Sequence, residues 1–325
     1  MAVIIFNIFL ILFSLLPHFV FSYTFTRLNV TGPDSTAFDS HGQGPYTGIA
    51  DGRIVKYQGP NIGFQDYAFD TPNRSKAVCD GNTDPTLANV CGRPLPIGFL
   101  RSTGQLFIGD TYLGLFVAGT NGRLARSIAT GAEGVPFRQL DGLDIDQLSS
   151  TVFFTDASAI YNLSEYKVSV ATNDSTGRLL KYDPKTQNIT VLLKNLIGPA
   201  GVAVSVGAKY LLFTEFTGRR IQKYWLKGPK ANTSEVLLTL PGYPDNIKRT
   251  PLGDTFWIAV NVQQSLGQNN VPTAVKIDGL GKILRNISLS QEYNSTLISE
   301  VHEPVVGTLY IGSIFANFLG VVKNF

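Results

Sequence analysis

Apolar and polar residues alternate along this chain in short runs, and glycine-rich turns separate the runs. The clearest stretch lies between Gly198 and Trp225: a Gly-Pro turn, alternating Val202, Val204 and Val206, and a dense apolar run from Tyr210 to Thr214 closed by Glu215. A turn at Gly218 then leads into Arg219 to Trp225, which alternates again. Period-two alternation bounded by turn residues predicts antiparallel hairpins. The same phrase returns along the chain as GPYTGIADGRIVKY, RPLPIGFL with QLFIGD, LDGLDID with VFFTD and TGRLLKYD, GYPDNIKR with TFWIAV, and VHEPVVGTLYIGS.

Six such units open near residues 32, 93, 140, 198, 242 and 299. A repeat of about 50 residues filled by strands is the signature of a four-stranded propeller blade. A β-sandwich would not repeat the phrase, and a β-helix would repeat it at a much shorter period. The expectation is an all-β chain folded as one six-bladed β-propeller over residues 23–325. The strand from Tyr23 to Val30 is expected to pair with Leu319 to Lys323 and so close the ring, because closure removes an exposed sheet edge. Three longer connections, residues 66–93, 161–176 and 262–273, are expected to form functional rims.

Composition adds a destination. Residues 2–16 are apolar except for Asn7 and Ser14, Pro17 follows, and small residues lead up to Ser22. This reads as a secretory signal peptide, residues 1–22, although its start lacks a basic residue; an uncleaved N-terminal anchor is the alternative. Two cysteines, Cys79 and Cys91, close a polar loop and are expected to form a disulfide in an exported chain. Asn-x-Ser/Thr occurs at Asn29, Asn73, Asn162, Asn173, Asn188, Asn232, Asn286 and Asn294, which marks the chain for N-glycosylation. A secretory-pathway protein of the vacuole lumen or the cell exterior is expected, with no stable membrane association once the leader is cut. Net charge is +3 with no basic stripe, so nucleic acid is not an expected partner; a small-molecule substrate is.

The phrases GPYTGIADGRIVKY, LDGLDID, FFTDAS, TEFTGRRIQKYWLKGPK, GYPDNIKR and LYIGSI fall in different units and together resemble the plant strictosidine synthase-like family. The resemblance implies the six-bladed propeller, the disulfide and the secretory route. It also implies an enzyme of the amine lyase class, joining an aryl-ethylamine to an aldehyde by a Pictet–Spengler condensation in alkaloid-type secondary metabolism. That chemistry asks for an apolar pocket with one carboxylate of raised pKa as general base. The family's catalytic Glu precedes the last unit's Gly-x-Leu-Tyr-Ile-Gly strand, and here Glu303 is taken as its counterpart, with Glu300 as second choice and His302 between them. Asp141, Phe154, Tyr161 and Phe216 are the other expected pocket residues. Gln139 and Asp141 stand where the synthase carries aromatics, which points to a more polar ligand than an indole amine.

Calcium-dependent lactonases share the propeller and give the alternative function, a metal-assisted ester or lactone hydrolase. Asp34, Asp141, Asp245 and Asn246 at unit starts are the expected oxygen ligands, but Ala200 replaces an Asn ligand of those enzymes. No cofactor is expected for the synthase reading and calcium for the hydrolase. A non-catalytic secreted binding protein is the third reading.

Overall fold

The computed structural model describes residues 23–263 and 270–325, so the segment read as a leader, residues 1–22, and the middle of the 262–273 connection lie outside the described residues. Six four-stranded antiparallel units form the blades of a propeller, and the outer strands of the first two are joined by a short parallel pairing of Ala68–Phe69 with Arg123–Leu124. Their innermost strands are Thr36–Ala37, Pro94–Leu100, Leu140–Ile145, Pro199–Val204, Gly242–Arg249 and Glu300–Val305, which matches the six predicted openings. The ring closes as expected. Thr24–Asn29 runs antiparallel to Phe318–Lys323 and supplies the last blade's outer strand.

The core is a series of slabs between neighbouring blades. Leu100, Phe107 and Leu115 of the second blade pack with Leu143, Phe154 and Leu180 of the third, and Trp257 of the fifth packs with Leu309 and Ile311 of the sixth. Alternation explains this: one face of each strand's side chains meets the blade before, the other the blade after.

The repeated phrase has a mechanical meaning at its acidic end. The Asp110 carboxylate accepts from the Arg93 backbone N–H, Asp156 from those of Arg138 and Gln139, and Glu215 from that of Ile197. Each acid therefore ties down the loop that enters its own blade. In two blades the arginine after the following turn returns to the same carboxylate, as Arg178 does to Asp156 and Arg220 to Glu215.

Two boundaries differ from expectation. Phe64–Phe69 is the first blade's outer strand, so that insertion begins only at Asp70. Thr255–Gln263 and Asn270–Asp278 pair as antiparallel strands, so the described residues of the 262–273 connection, 262–263 and 270–273, are strand and not loop. The Cys79–Cys91 disulfide is present. Of the eight sequon asparagines, seven are exposed and Asn162 is half-buried, so none is locked in the core. Among the described residues no helix is long and apolar enough to cross a membrane.

Candidate functional site

The blades leave two mouths. The upper carries the turns joining second to third strands and one blade to the next; the lower carries the hairpin turns joining first to second and third to fourth strands. Four innermost strands bulge where they approach the axis, between Pro94 and Ile97, Leu140 and Leu143, Pro199 and Val202, and Pro244 and Ile247. A bulge turns a side chain that regular pleating would send between blades. Leu95, Asp141, Ala200 and Asp245 follow the first residue of each bulge and take equivalent places in their blades.

These bulges also interlock. A Cβ on Gly142 would run into the Ala200 carbonyl, and one on Gly201 into the backbone of Asn246 and Ile247. The Thr155 hydroxyl donates to the Ala200 carbonyl, and Thr214 Oγ1 donates to the Asp245 carbonyl at 2.7 Å. The threonine of the repeated phrase thus fixes the next blade's bulge, and with it the residue facing the axis.

Asp141, Ala200 and Asp245 floor a cavity of about 70 Å³ under the upper mouth. Its walls are largely apolar, with Phe216 on one side and Leu163, Tyr166 and Phe315 above. The insertion between the third blade's second and third strands supplies the cover: a short 3₁₀ turn, Leu163–Glu165, continues into the helix Tyr166–Ala171. Tyr166 packs against Phe315 with ring centroids 6.1 Å apart, and the Ser164 N–H donates to the Tyr112 hydroxyl at 3.1 Å. Beyond that aromatic pair lies a larger groove of about 440 Å³ beside the disulfide loop.

Below the floor the acids crowd together. Asp34 lies 3.4 Å from the Asn246 amide. Burial, reinforced by Glu300, pushes the Asp34 carboxyl up to about 7. Burial drives Asp141 well above the usual carboxylate range, and Asp34 adds to it. Asp245 is raised in the same way, by burial and then by Asp141, Asp34 and Glu300. Glu300 is fully buried; Thr36 donates to it through its backbone N–H at 2.6 Å and its hydroxyl at 2.8 Å. Lys248 Nζ stands 3.3 Å from its other oxygen. Burial raises Glu300 and those partners moderate the shift. Lys248 acts on Glu300, on Asp34 and on neighbouring Asp144, and Arg93 acts on Asp34 from the side, whereas Asp141 and Asp245 have no basic partner among these.

Not every predicted residue reaches this cavity. Glu303 is buried elsewhere: its carboxylate accepts from the Trp257 indole at 2.8 Å and from the Gly307 N–H at 3.0 Å, and Lys276 Nζ lies 3.3 Å away. Those partners hold it at the contact of the fifth and sixth blades, away from the cavity lining. His302 faces the lower mouth, bonded to Thr36 Oγ1 at 2.9 Å, and burial, helped by Lys248, pushes its pKa down to about 3. Phe154 is fully buried core against Phe137, because it belongs to a second strand that does not reach the axis. Tyr161 precedes the cover without lining the cavity; Tyr166, five residues on, takes that place. Phe216 and Asp141 are where they were expected. Lys248, Tyr166 and Phe315 were missed, and of these only Lys248 carried a signal, a basic residue beside Arg249 on an innermost strand.

The calcium set is incomplete in this chain. Asp34, Asp141, Asp245 and Asn246 do converge, but Ala200 presents a methyl group toward the space they share. Among the described residues no three His, Cys, Asp or Glu side chains are grouped closely enough to hold a metal ion.

A family model described as "Strictosidine synthase" matches residues 141–229. Protein STRICTOSIDINE SYNTHASE-LIKE 11 of Arabidopsis thaliana is 43% identical over 91% of this chain and 89% of its own. Strictosidine synthase of Catharanthus roseus is 40% identical over 89% of this chain and 83% of its own. Among solved structures, a gluconolactonase from Xanthomonas campestris superposes with a TM-score of 0.65 at 12% identity, covering 93% of this chain and 89% of that one. The calcium-binding protein regucalcin from Agrobacterium tumefaciens gives 0.63 at 10% identity, covering 91% and 94%. At such identities these two likenesses concern the fold alone.

Proposed function

This chain belongs to the strictosidine synthase-like family, and from that footing we propose that it is a small-molecule enzyme whose axial cavity takes a cationic amine and activates it for condensation with an aldehyde. The observation that carries the reading is the pair Asp141 and Asp245, two crowded carboxyls with raised pKa values at the floor of one apolar-walled cavity. An ammonium group entering there favours the ionised form of these carboxyls and relieves the repulsion among the acids. A carboxylate made more basic by burial is then suited to remove its proton.

The steps follow from that transfer. The freed amine adds to the aldehyde carbonyl; the carboxyl returns its proton to the carbinolamine oxygen, which leaves as water and gives an iminium. The electron-rich ring closes onto the iminium carbon, and the carboxylate takes the proton the ring sheds. Asp245 is assigned as the proton-transferring group and Asp141 as its partner. Glu300, tied to Thr36 and Lys248, sets the charge of the cluster and is the alternative base. Glu303 has no part in this scheme. The cavity accommodates an ammonium end only, so the aromatic portion of a substrate requires Tyr166 and Phe315 to part.

The test is turnover of an aryl-ethylamine with an aldehyde, read by product mass, with and without chelator. Asp245→Asn is expected to lose at least ~100-fold, the lower range for a general base, and Glu303→Gln to stay within about threefold of the parent. Equal losses in both would remove the assignment. The convergence of Asp34, Asp245 and Asn246 keeps a hydrolase in view as the second reading. Stoichiometric calcium with chelator-sensitive lactone cleavage would establish it, and absence of any turnover would leave a binding protein.

A further inference from the structure

The insertion of residues 70–93 leaves the first blade and enters the second through a narrow neck, and two carboxyls stand in it. Asp70 opens the insertion directly after the strand Phe64–Phe69, and Asp110 ends the second blade's strand Gln105–Asp110. They are 2% and 0% accessible and are hydrogen-bonded to each other. A Cβ on Gly92, at the far end of the insertion, would stand 2.5 Å from Asp70 Oδ1 and 2.9 Å from Asp110 Oδ2. Entry and exit of the insertion therefore meet at this pair.

Two carboxyls share a hydrogen bond only when one of them carries a proton, and their other partners show which. Asp110 accepts from the backbone N–H of Arg93, and from those of Tyr112 and Leu113 at 2.8 Å each; such donors favour a carboxylate. Neither oxygen of Asp70 meets an N–H or hydroxyl of another residue. The proton thus belongs on Asp70, which donates to Asp110. Burial, and then Asp110, hold the Asp70 carboxyl well above the usual carboxylate range. The cations nearby are engaged elsewhere. Arg74 acts on Asp70, but its guanidinium is bonded to Asp80 and lies 3.8 Å from Asp51. Arg93 donates to the Gly32 carbonyl at 3.0 Å and is shared among Asp34, Asp110, Tyr112 and Asp51. Arg53 is taken by Asp51 and Asp66.

We infer that Asp70 and Asp110 form a proton-held latch that closes the neck of the disulfide insertion and that rising pH releases. Loss of the proton leaves two buried carboxylates face to face, repelling each other without water to screen them, and the neck parts. The sign follows from the proton: the folded state favours protonated Asp70, so the latch is complete at low pH and is lost as pH rises through the folded-state value. Gly92 and Arg93 at the neck, with Leu87 and Cys91 of the insertion, line the groove of about 440 Å³ beside the axial cavity. The latch therefore sets how firmly one wall of that groove is held. It is independent of the reaction proposed above.

The experiment is hydrogen–deuterium exchange read by mass spectrometry, on the full protein and on Asp70→Asn, from about pH 5 to about pH 9. The asparagine amide still donates to Asp110 but does not titrate, and comparing the two proteins at each pH cancels the intrinsic pH dependence of exchange. At the low end residues 71–92 are expected to exchange alike in both. Above the titration the parent's are expected to exchange faster, by about tenfold for each further pH unit. Residues 199–225 of the fourth blade are expected to exchange alike throughout. A ratio that stays flat, or one that rises equally in both segments, overturns the latch. If Asp70→Asn does not fold, the parent alone decides, because both cysteines of the insertion are buried. The rate at which a small thiol reduces Cys79–Cys91, divided by the thiolate concentration, is expected to rise at least ~10-fold over the same range. A constant quotient overturns the proposal.

Discussion

Asp34 shows how a single buried acid links the site to stability. Its carboxyl ordinarily titrates near 3.8 and is pushed up to about 7 here, by burial and then by Glu300. The fold therefore favours the protonated form. Stability contributed by this group is complete below the ordinary value, falls as pH rises between about 4 and 7, and is flat above. Asp34→Asn removes the titration, so its melting temperature is expected to exceed the parent's at pH 8 and to match or fall below it at pH 4. A gain of equal size at both pH values would show that crowding of charge is not the cause. Glu303 behaves differently because its partners answer it: the Trp257 indole, the Gly307 N–H and Lys276 satisfy the carboxylate. Glu303→Leu strands that indole donor and the lysine at a blade contact and is expected to cost roughly 2–4 kcal/mol in denaturant unfolding, a penalty of structure rather than catalysis.

At the scale of the element, the bulged inner strand is the unit that makes the site. Bulge and glycine act together. Asp141 reaches the axis because the strand kinks after Leu140, and the kink fits only because Gly142 lets the Ala200 carbonyl approach. Gly142→Ala is expected to destabilise by about 3 kcal/mol or more, since backbone of the next blade must move. Its activity should fall even at temperatures where it remains folded, because Asp141 and Ala200 shift together. The cover works by looser rules. Tyr166 and Phe315 touch without a hydrogen bond between them, and Phe315 is half exposed. Phe315→Ala is therefore expected to leave the melting temperature within a degree or two and to raise KM for a bulky amine. A fall in kcat with unchanged KM would place Phe315 in the chemistry instead of at the door.

Ring closure governs the whole molecule. Thr24–Asn29 is the last blade's only outer strand, so removing residues 23–30 exposes Phe318–Lys323 as an unpaired apolar edge. The shortened protein is expected to aggregate, as size-exclusion chromatography would show. Opening the Cys79–Cys91 loop by double serine substitution should cost about 2–3 kcal/mol, chiefly by freeing the unfolded chain. Repeat spacing, turn chemistry and alternation were enough to give the blade count, the openings of the blades and the closing strand, because each depends on contacts within one unit or on the need to hide an edge. The disulfide and the surface position of the sequons were legible for the same reason, being properties of local polar loops. The site was legible only in part. Asp141 and Asp245 could be placed at blade starts and Phe216 just past a second strand, but Glu303 and Glu300 differ by three residues on one strand, and alternation from Val301 to Glu303 could not say which acid faces the axis. A bulge shifts side-chain direction by an amount that the sequence of one strand does not specify, since it is set by the neighbouring blade's carbonyl and by the threonine that holds it. Parity along a strand is local and could be read from the chain; convergence of four blades on one axis is not local, and it was decided by how the ring packs.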